Sequence, residues 1–149
     1  MKARRVKYKV GTATESDVFF HLEKCSDVFV PALSGRVDIS KYAAKIHKKS
    51  VTFEAWKEEV LVGLVASYFN DSRNSSAFIT NVSVLREYSR QGIASALLSR
   101  CVEYARKNKI DVLILEVYKK NDLATCFYKK NEFEIYDVKE NSYLMKRII

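Results

Sequence analysis

Hydrophobic positions change period several times along the chain, and each change marks an element. Val6, Tyr8 and Val10 alternate over Val6–Gly11, the pattern of a strand with one covered face. Thr14-Glu15-Ser16-Asp17 then offers N-cap chemistry for a helix running to Cys25. Pro31 and Gly35 mark a loop. Asp38 can cap a second helix over Ile39–Lys49, where Ile39, Tyr42, Ala43 and Ile46 recur at helical spacing. Val51–Trp56 and Val60–Phe69 read as strands joined by Lys57-Glu58-Glu59, a hairpin. The polar stretch 70–76 reads as a loop, and Ala77–Val84 as the next antiparallel strand.

From Gly92 the period returns to that of a helix. Ile93, Leu97, Cys101 and Tyr104 form one row, Ala94, Leu98, Val102 and Ala105 a second, and the helix should end near Lys107. Val112–Val117 is a short, nearly continuous apolar run, typical of a central buried strand. Asn121 can cap a helix over Asp122–Lys130, and Phe133–Val138 and Ser142–Lys146 close as a strand pair. The order is β-α-α-β-β-β-α-β-α-β-β. The βαβ unit between Ala77 and Val117 implies one parallel pair in a mixed, mainly antiparallel sheet flanked by helices, an α/β (α+β) fold. No repeat or linker interrupts the pattern, so residues 1–149 read as a single domain.

Composition adds limits rather than a function. A net charge of +8 and a pI near 9.4 call for an anionic partner, either nucleic acid or a phosphorylated cofactor or substrate. The basic residues are scattered without a run of five, which argues against a nucleic-acid arm. No apolar run approaches the roughly 20 residues of a membrane span. The basic start, Met1-Lys2-Ala3-Arg4-Arg5, lacks the apolar stretch of a signal peptide. Cys25, Cys101 and Cys126 are odd in number and lack metal spacing, which favours a reducing cytoplasm. His21 and His47 are too isolated for a zinc site, so no metal is expected.

Gly92 is one of four glycines and sits where a strand pattern hands over to a helix pattern. A glycine turn that opens a helix presents free backbone N–H groups and the positive end of the helix dipole, a cradle for phosphate. It is equally the form of an ordinary strand–helix turn. The element order, the turn Ser89-Arg90-Gln91-Gly92-Ile93-Ala94, the later Asn121, and Phe127-Tyr128-Lys129-Lys130-Asn131-Glu132-Phe133 together resemble the GNAT (GCN5-related) N-acetyltransferases. The likeness covers almost the whole chain and is strongest from Val51 to Val138.

That resemblance implies an acetyl-CoA-dependent N-acetyltransferase. It implies that the amides of Ser89, Arg90, Gln91, Gly92, Ile93, Ala94 and Ser95 hold the cofactor pyrophosphate. Ser89 stands where the family has Gln or Arg and is too short to reach a phosphate. It also implies that Val82, Ser83 and Val84 pair with the pantetheine arm as a strand would, and that Asn121 touches the cofactor. Asn121 reads equally as a helix cap. Among similar proteins a homodimer through the terminal strands is common.

N-acetylation needs a neutral amine, a donor for the oxyanion and a proton for the leaving sulfur. Tyr128 stands where the family has its tyrosine acid; packing in the core is its other reading. Glu116, the one charge in an apolar strand, with Asn121 and Tyr128 following, resembles the base of the ribosomal-protein alanine acetyltransferase branch. Burial there would raise its pKa into the working range of a base. A structural carboxylate is the alternative, and Asp71 and Glu54 are further carboxylates near the expected cleft. Cys126, with no histidine nearby, reads as a buried cysteine rather than a nucleophile. For the acceptor, Arg36, Asp38, Tyr42, Lys45, Tyr68, Asn70, Asp71, Thr80 and Asn81 form a polar set suited to a small hydrophilic amine such as an amino sugar. Asp71 could hold an ammonium, and Arg36 and Lys45 a phosphate or carboxylate. A protein N-terminus or lysine is the alternative acceptor. A GNAT-like module that binds acyl-CoA without turnover, and a basic nucleic-acid-binding domain, are competing functions.

Overall fold

Among the described residues, seven strands and four helices follow one another in the order the periodicity predicts. They are β1 (Lys7–Val10), α1 (Glu15–Cys25), α2 (Ile39–Lys49), β2 (Val51–Lys57), β3 (Val60–Asp71), β4 (Ser76–Val84), α3 (Ile93–Lys107), β5 (Val112–Tyr118), α4 (Asp122–Lys130), β6 (Glu134–Val138) and β7 (Ser142–Ile148). The structure is a computed structural model describing residues 5–29, 31–71, 73 and 75–149, apart from the side chains of Asn70 and Asp71. Three short 3-10 turns, at Ser26–Val28, Leu33–Gly35 and Arg86–Tyr88, have no counterpart in the sequence reading. One turn is too short to impose a period. The stretch read as a loop over 70–76 is partly strand, with Asp71 paired to Ser76.

Local chemistry sets the helix starts. Thr14 and Asp17 form a reciprocal capping box on α1: Thr14 Oγ1 accepts from Asp17 N at 3.1 Å, and Asp17 Oδ2 accepts from Thr14 N at 2.8 Å. Asp38 Oδ1 accepts from Lys41 N at 3.2 Å and caps α2. Alternation along β3 divides the sheet between two cores. Leu61, Leu64 and Ala66 join α1 and α2, whereas Val62 and Val65 join α3. Helices therefore cover both faces. Among the described residues, no helix is long and apolar enough to cross a membrane.

The sheet runs β1-β2-β3-β4-β5-β7-β6, antiparallel except between β4 and β5. Two irregularities in its middle create the site. First, Ala66 pairs with Asn81 and Ser67 with Ile79, leaving Thr80 as an extra residue in β4. This bulge reverses the side-chain alternation. Ala77 and Ile79 before it, and Val82 and Val84 after it, all pack on the α3 core, while Asn81 and Ser83 turn toward α1. Second, β4 and β5 pair only through Ser76, Ala77 and Phe78 opposite Val112, Leu113 and Ile114. Beyond Phe78 the two strands part.

Candidate active site

The parting of β4 and β5 opens a cleft of about 450 Å³. Ile79–Val84 form one wall and Leu115–Tyr118 the other; α4 contributes Asn121, Ala124, Phe127 and Tyr128, and the α1–α2 connection adds Phe29 and Arg36. Along this stretch β4 is paired to β3 on one side only, so its other backbone edge faces the cleft. An extended, amide-bearing ligand could use that edge as a partner strand. Val82, Ser83 and Val84 all line it.

The α3 turn lies at one end. Gly92 has φ +79°, the left-handed region that suits glycine, and Arg90 shares it at +61°. The first bond of α3 joins Ala96 N to Gly92 O at 3.0 Å, so the amides from Gly92 to Ser95 have no partner within the helix. The helix is seated by a close approach: a Cβ on Gly63 of β3 would lie 2.8 Å from Ile93 Cγ2. Ile93 is itself buried, so only its amide is available to a ligand, whereas the side chains of Arg90, Gln91 and Ser95 are exposed. Ser89 and Ala94 line the cleft. The Ser89 hydroxyl donates to Arg86 O at 2.7 Å and is occupied in closing its own turn.

Tyr128 faces the cleft from α4, with its ring edge-on to Phe127 and Phe133 at centroid distances of 5.4 and 5.9 Å. Burial pushes its phenol well above the ordinary tyrosine value, so it remains protonated at neutral pH. Its ring packs against the core, and the residue also lines the cleft. Asn121 stands at the start of α4. Its Oδ1 accepts from Ala124 N at 3.1 Å as a cap, while the residue lines the cleft.

Glu116 departs from expectation. It lines the cleft, but its side chain is 40% exposed, so the desolvation invoked for a buried strand is missing. Ser142 Oγ donates to its Oε2 at 2.5 Å, and Lys139 Nζ stands 3.7 Å away. The reason is topological. The α1–α2 layer packs on β2 and β3 and leaves this face of β5 open. Glu54, by contrast, is fully buried outside the cleft lining. It accepts five bonds, from Thr12 N, Thr12 Oγ1, Ala13 N, Thr52 Oγ1 and Trp56 Nε1, at 2.5–3.0 Å. Burial would raise its pKa, but the bonds from Thr12, Thr52, Ala13 and Trp56 outweigh it and hold the carboxyl below its ordinary range. Glu54 is a structural tie between β2 and the start of α1, not a base. Cys126, expected in the core, is exposed.

Of the acceptor set, Arg36, Thr80 and Asn81 reach the cleft. Tyr42 stands behind Thr80, donating to its backbone O at 2.7 Å and lying 2.8 Å from its Oγ1. Tyr68 has Lys45 Nζ 5.3 Å over its ring. Asp38 is exposed and engaged as a cap, away from the lining. The side chains of Asn70 and Asp71 lie outside the described residues. Sequence reading missed Phe29, Tyr118 and Phe127, apolar liners that resemble core residues in any periodic pattern. It also missed His21, buried behind β4. His21 Nδ1 donates to Leu61 O at 2.9 Å, and Ser83 Oγ lies 2.9 Å from its Nε2 and 2.7 Å from Asn81 Oδ1, with one hydroxyl proton to serve these two acceptors. This chain of bonds fixes β4 beyond the bulge. Burial lowers the His21 pKa to about 4, so the ring is neutral.

The sheet is thus splayed between its two parallel strands, and a glycine turn opens the helix that joins them. The solved PaiA N-acetyltransferase from Thermoplasma acidophilum in complex with coenzyme A has the same fold. Its TM-score is 0.75 at 16% identity, over 96% of this chain and 99% of that one. The family model described as Acetyltransferase (GNAT) family matches residues 18–133, and the chain belongs to that family. "Probable N-acetyltransferase san" of Drosophila melanogaster is 33% identical over 96 residues, 63% of this chain and 51% of that protein. Streptothricin acetyltransferase A of Bacillus subtilis is 36% identical over 62 residues, 42% of this chain and 36% of that protein. The chain matches about half the length, or less, of these two relatives.

Proposed function

We propose that the protein is an acetyl-CoA-dependent N-acetyltransferase that acetylates a primary amine of a small polar acceptor by direct attack in a ternary complex. The observation that carries this reading is one cleft joining an open strand edge, a turn whose amides have no partner within the helix, and a half-buried tyrosine that burial keeps protonated. These residues fit acetyl-CoA: the turn suits its pyrophosphate and the β4 edge its amide-bearing arm. When bound, acetyl-CoA supplies an acetyl group activated as a thioester.

The chain's own residues then have five tasks. The amides from Gly92 to Ser95 hold the phosphates, and the backbone of Val82–Val84 orients the arm along the cleft. Tyr128 holds a proton on Oη and gives it to the sulfur as the carbon–sulfur bond breaks. Glu116 takes the proton that the amine loses, directly or through water, and its exposure lets the proton pass on to solvent. Thr80 and Asn81 present polar atoms beside the acceptor.

An acetyl-transfer screen over amino sugars, polyamines, aminoglycosides and peptide N-termini tests the reading. Turnover of a small amine is expected. Transfer to peptides alone would replace the small acceptor with a protein one. Tight CoA binding without transfer to any amine would favour a non-catalytic module.

A further inference from the structure

Among the described residues lining the cleft, Arg36 carries the only positive charge. Its guanidinium lies over two rings at once, 5.0 Å from the centroid of Tyr118 and 5.6 Å from that of Phe29. Tyr118 ends β5 and Phe29 belongs to the α1–α2 connection, so the stack bridges two walls of the cleft. A guanidinium over ring faces still has its N–H groups to offer other partners. The nearby described carboxylates are engaged elsewhere. Asp27 pairs with Arg86 at 3.5 Å, Asp38 caps α2, and Glu116 is held by Ser142 and Lys139. A second cation, Lys45, lies over Tyr68, whose buried hydroxyl has no hydrogen-bond partner among the described residues. Beyond Glu116, the cleft has no other negative charge among its described lining residues.

We propose that the acceptor is an amine that also carries a compact anion, a carboxylate or a phosphate, and that Arg36 binds this anion through its guanidinium edge. The inference rests on the transferase reading above and narrows its substrate class. A planar fork placed over two rings is suited to bidentate contact with either group. Polyamines and aminoglycosides bring only further positive charge to Arg36 and are poor acceptors.

The test compares acceptors that differ only in the anion, at equal concentrations of neutral amine. One pair is glucosamine 6-phosphate and glucosamine; the other is β-alanine and β-alaninamide. In at least one pair the anionic member should exceed its partner in kcat/KM by about tenfold or more, the worth of one charge-assisted contact. The pair that responds distinguishes phosphate from carboxylate. Arg36→Gln should bring that ratio close to one, and Arg36→Lys should restore part of it. No anionic preference in the wild type, or a preference that survives Arg36→Gln, overturns the inference. A second arm does not depend on turnover. With CoA saturating, so that the α3 turn is occupied, the Arg36 Nε–H resonance is followed during titration with inorganic phosphate and with acetate. A saturable shift with at least one is expected, and none with either overturns the inference. If the resonance shifts but no amine is acetylated, the anion site stands and the transferase reading falls.

Discussion

The knot around Glu54 and the cleft between β4 and β5 are both polar regions built into the same sheet. In the knot, one buried carboxylate accepts five hydrogen bonds and leaves no oxygen without partners. In the cleft, helix amides, a strand edge, a guanidinium and a phenol lack hydrogen-bond partners among the described residues. Inside a protein an unmet polar group costs about 1–3 kcal/mol, so a fold keeps few such groups where neither water nor a ligand can meet them. Completeness of hydrogen bonding therefore separates scaffold from site more sharply than residue type. By residue type alone, Glu54, Glu116 and Tyr128 would all be catalytic candidates.

Three experiments press on this contrast. The largest effect belongs to Glu54→Ala, which strands several buried donors. It should cost about 3–5 kcal/mol in a denaturant titration. The folded fraction should still bind CoA normally; weakened affinity in that fraction would mean the knot also belongs to the site.

Acidification tests the His21 chain next. Its folded pKa, about 4, lies below the ordinary 6.5, so the unfolded state binds the extra proton first. The stability due to neutral His21 is complete above pH 6.5 and is lost as pH falls from there toward 4. About 3 kcal/mol is at stake over that window. Denaturation midpoints from pH 7.5 to 4.5, with the His21 ring followed by NMR, would measure it. A ring that titrates near 6.5 would remove the effect.

Tyr128→Phe should act on rate instead. Turnover should fall about a hundredfold, while CoA affinity and stability change by less than about 1 kcal/mol. Full activity in this variant would take Tyr128 out of the proton path. A loss of stability comparable to that of Glu54→Ala would move it to the scaffold side of the contrast.

Much of the fold is legible in the chain because caps and periods are local. Thr14, Asp38 and Asn121 each cap the helix that the sequence assigns them. Irregularities are not local. The extra residue at Thr80 leaves no trace in a stretch that reads simply as a strand, since a bulge is defined by the partner strand. Glu116 was misread for a related reason. Val112–Val117 is apolar on both sides, but only Leu113, Leu115 and Val117 are buried, and which face a helix covers is decided by distant elements. The turn at Gly92 and the tyrosine of α4 were readable because each sits in a compact motif. The stack of Phe29, Arg36 and Tyr118 was not, because it joins residues more than eighty positions apart in sequence.

The backbone seam between β4 and β5 is only three residue pairs long. Past it the two halves of the sheet share no ladder, and a ligand lying along β4 would act as the strand that is missing. Binding would then complete the sheet as well as fill a site. By linkage, a ligand at a hundred times its dissociation constant raises the free energy of unfolding by about 2.7 kcal/mol, a large share of what a domain of this size has in reserve. The persistence of the folded chain would thus follow the supply of its own acyl donor.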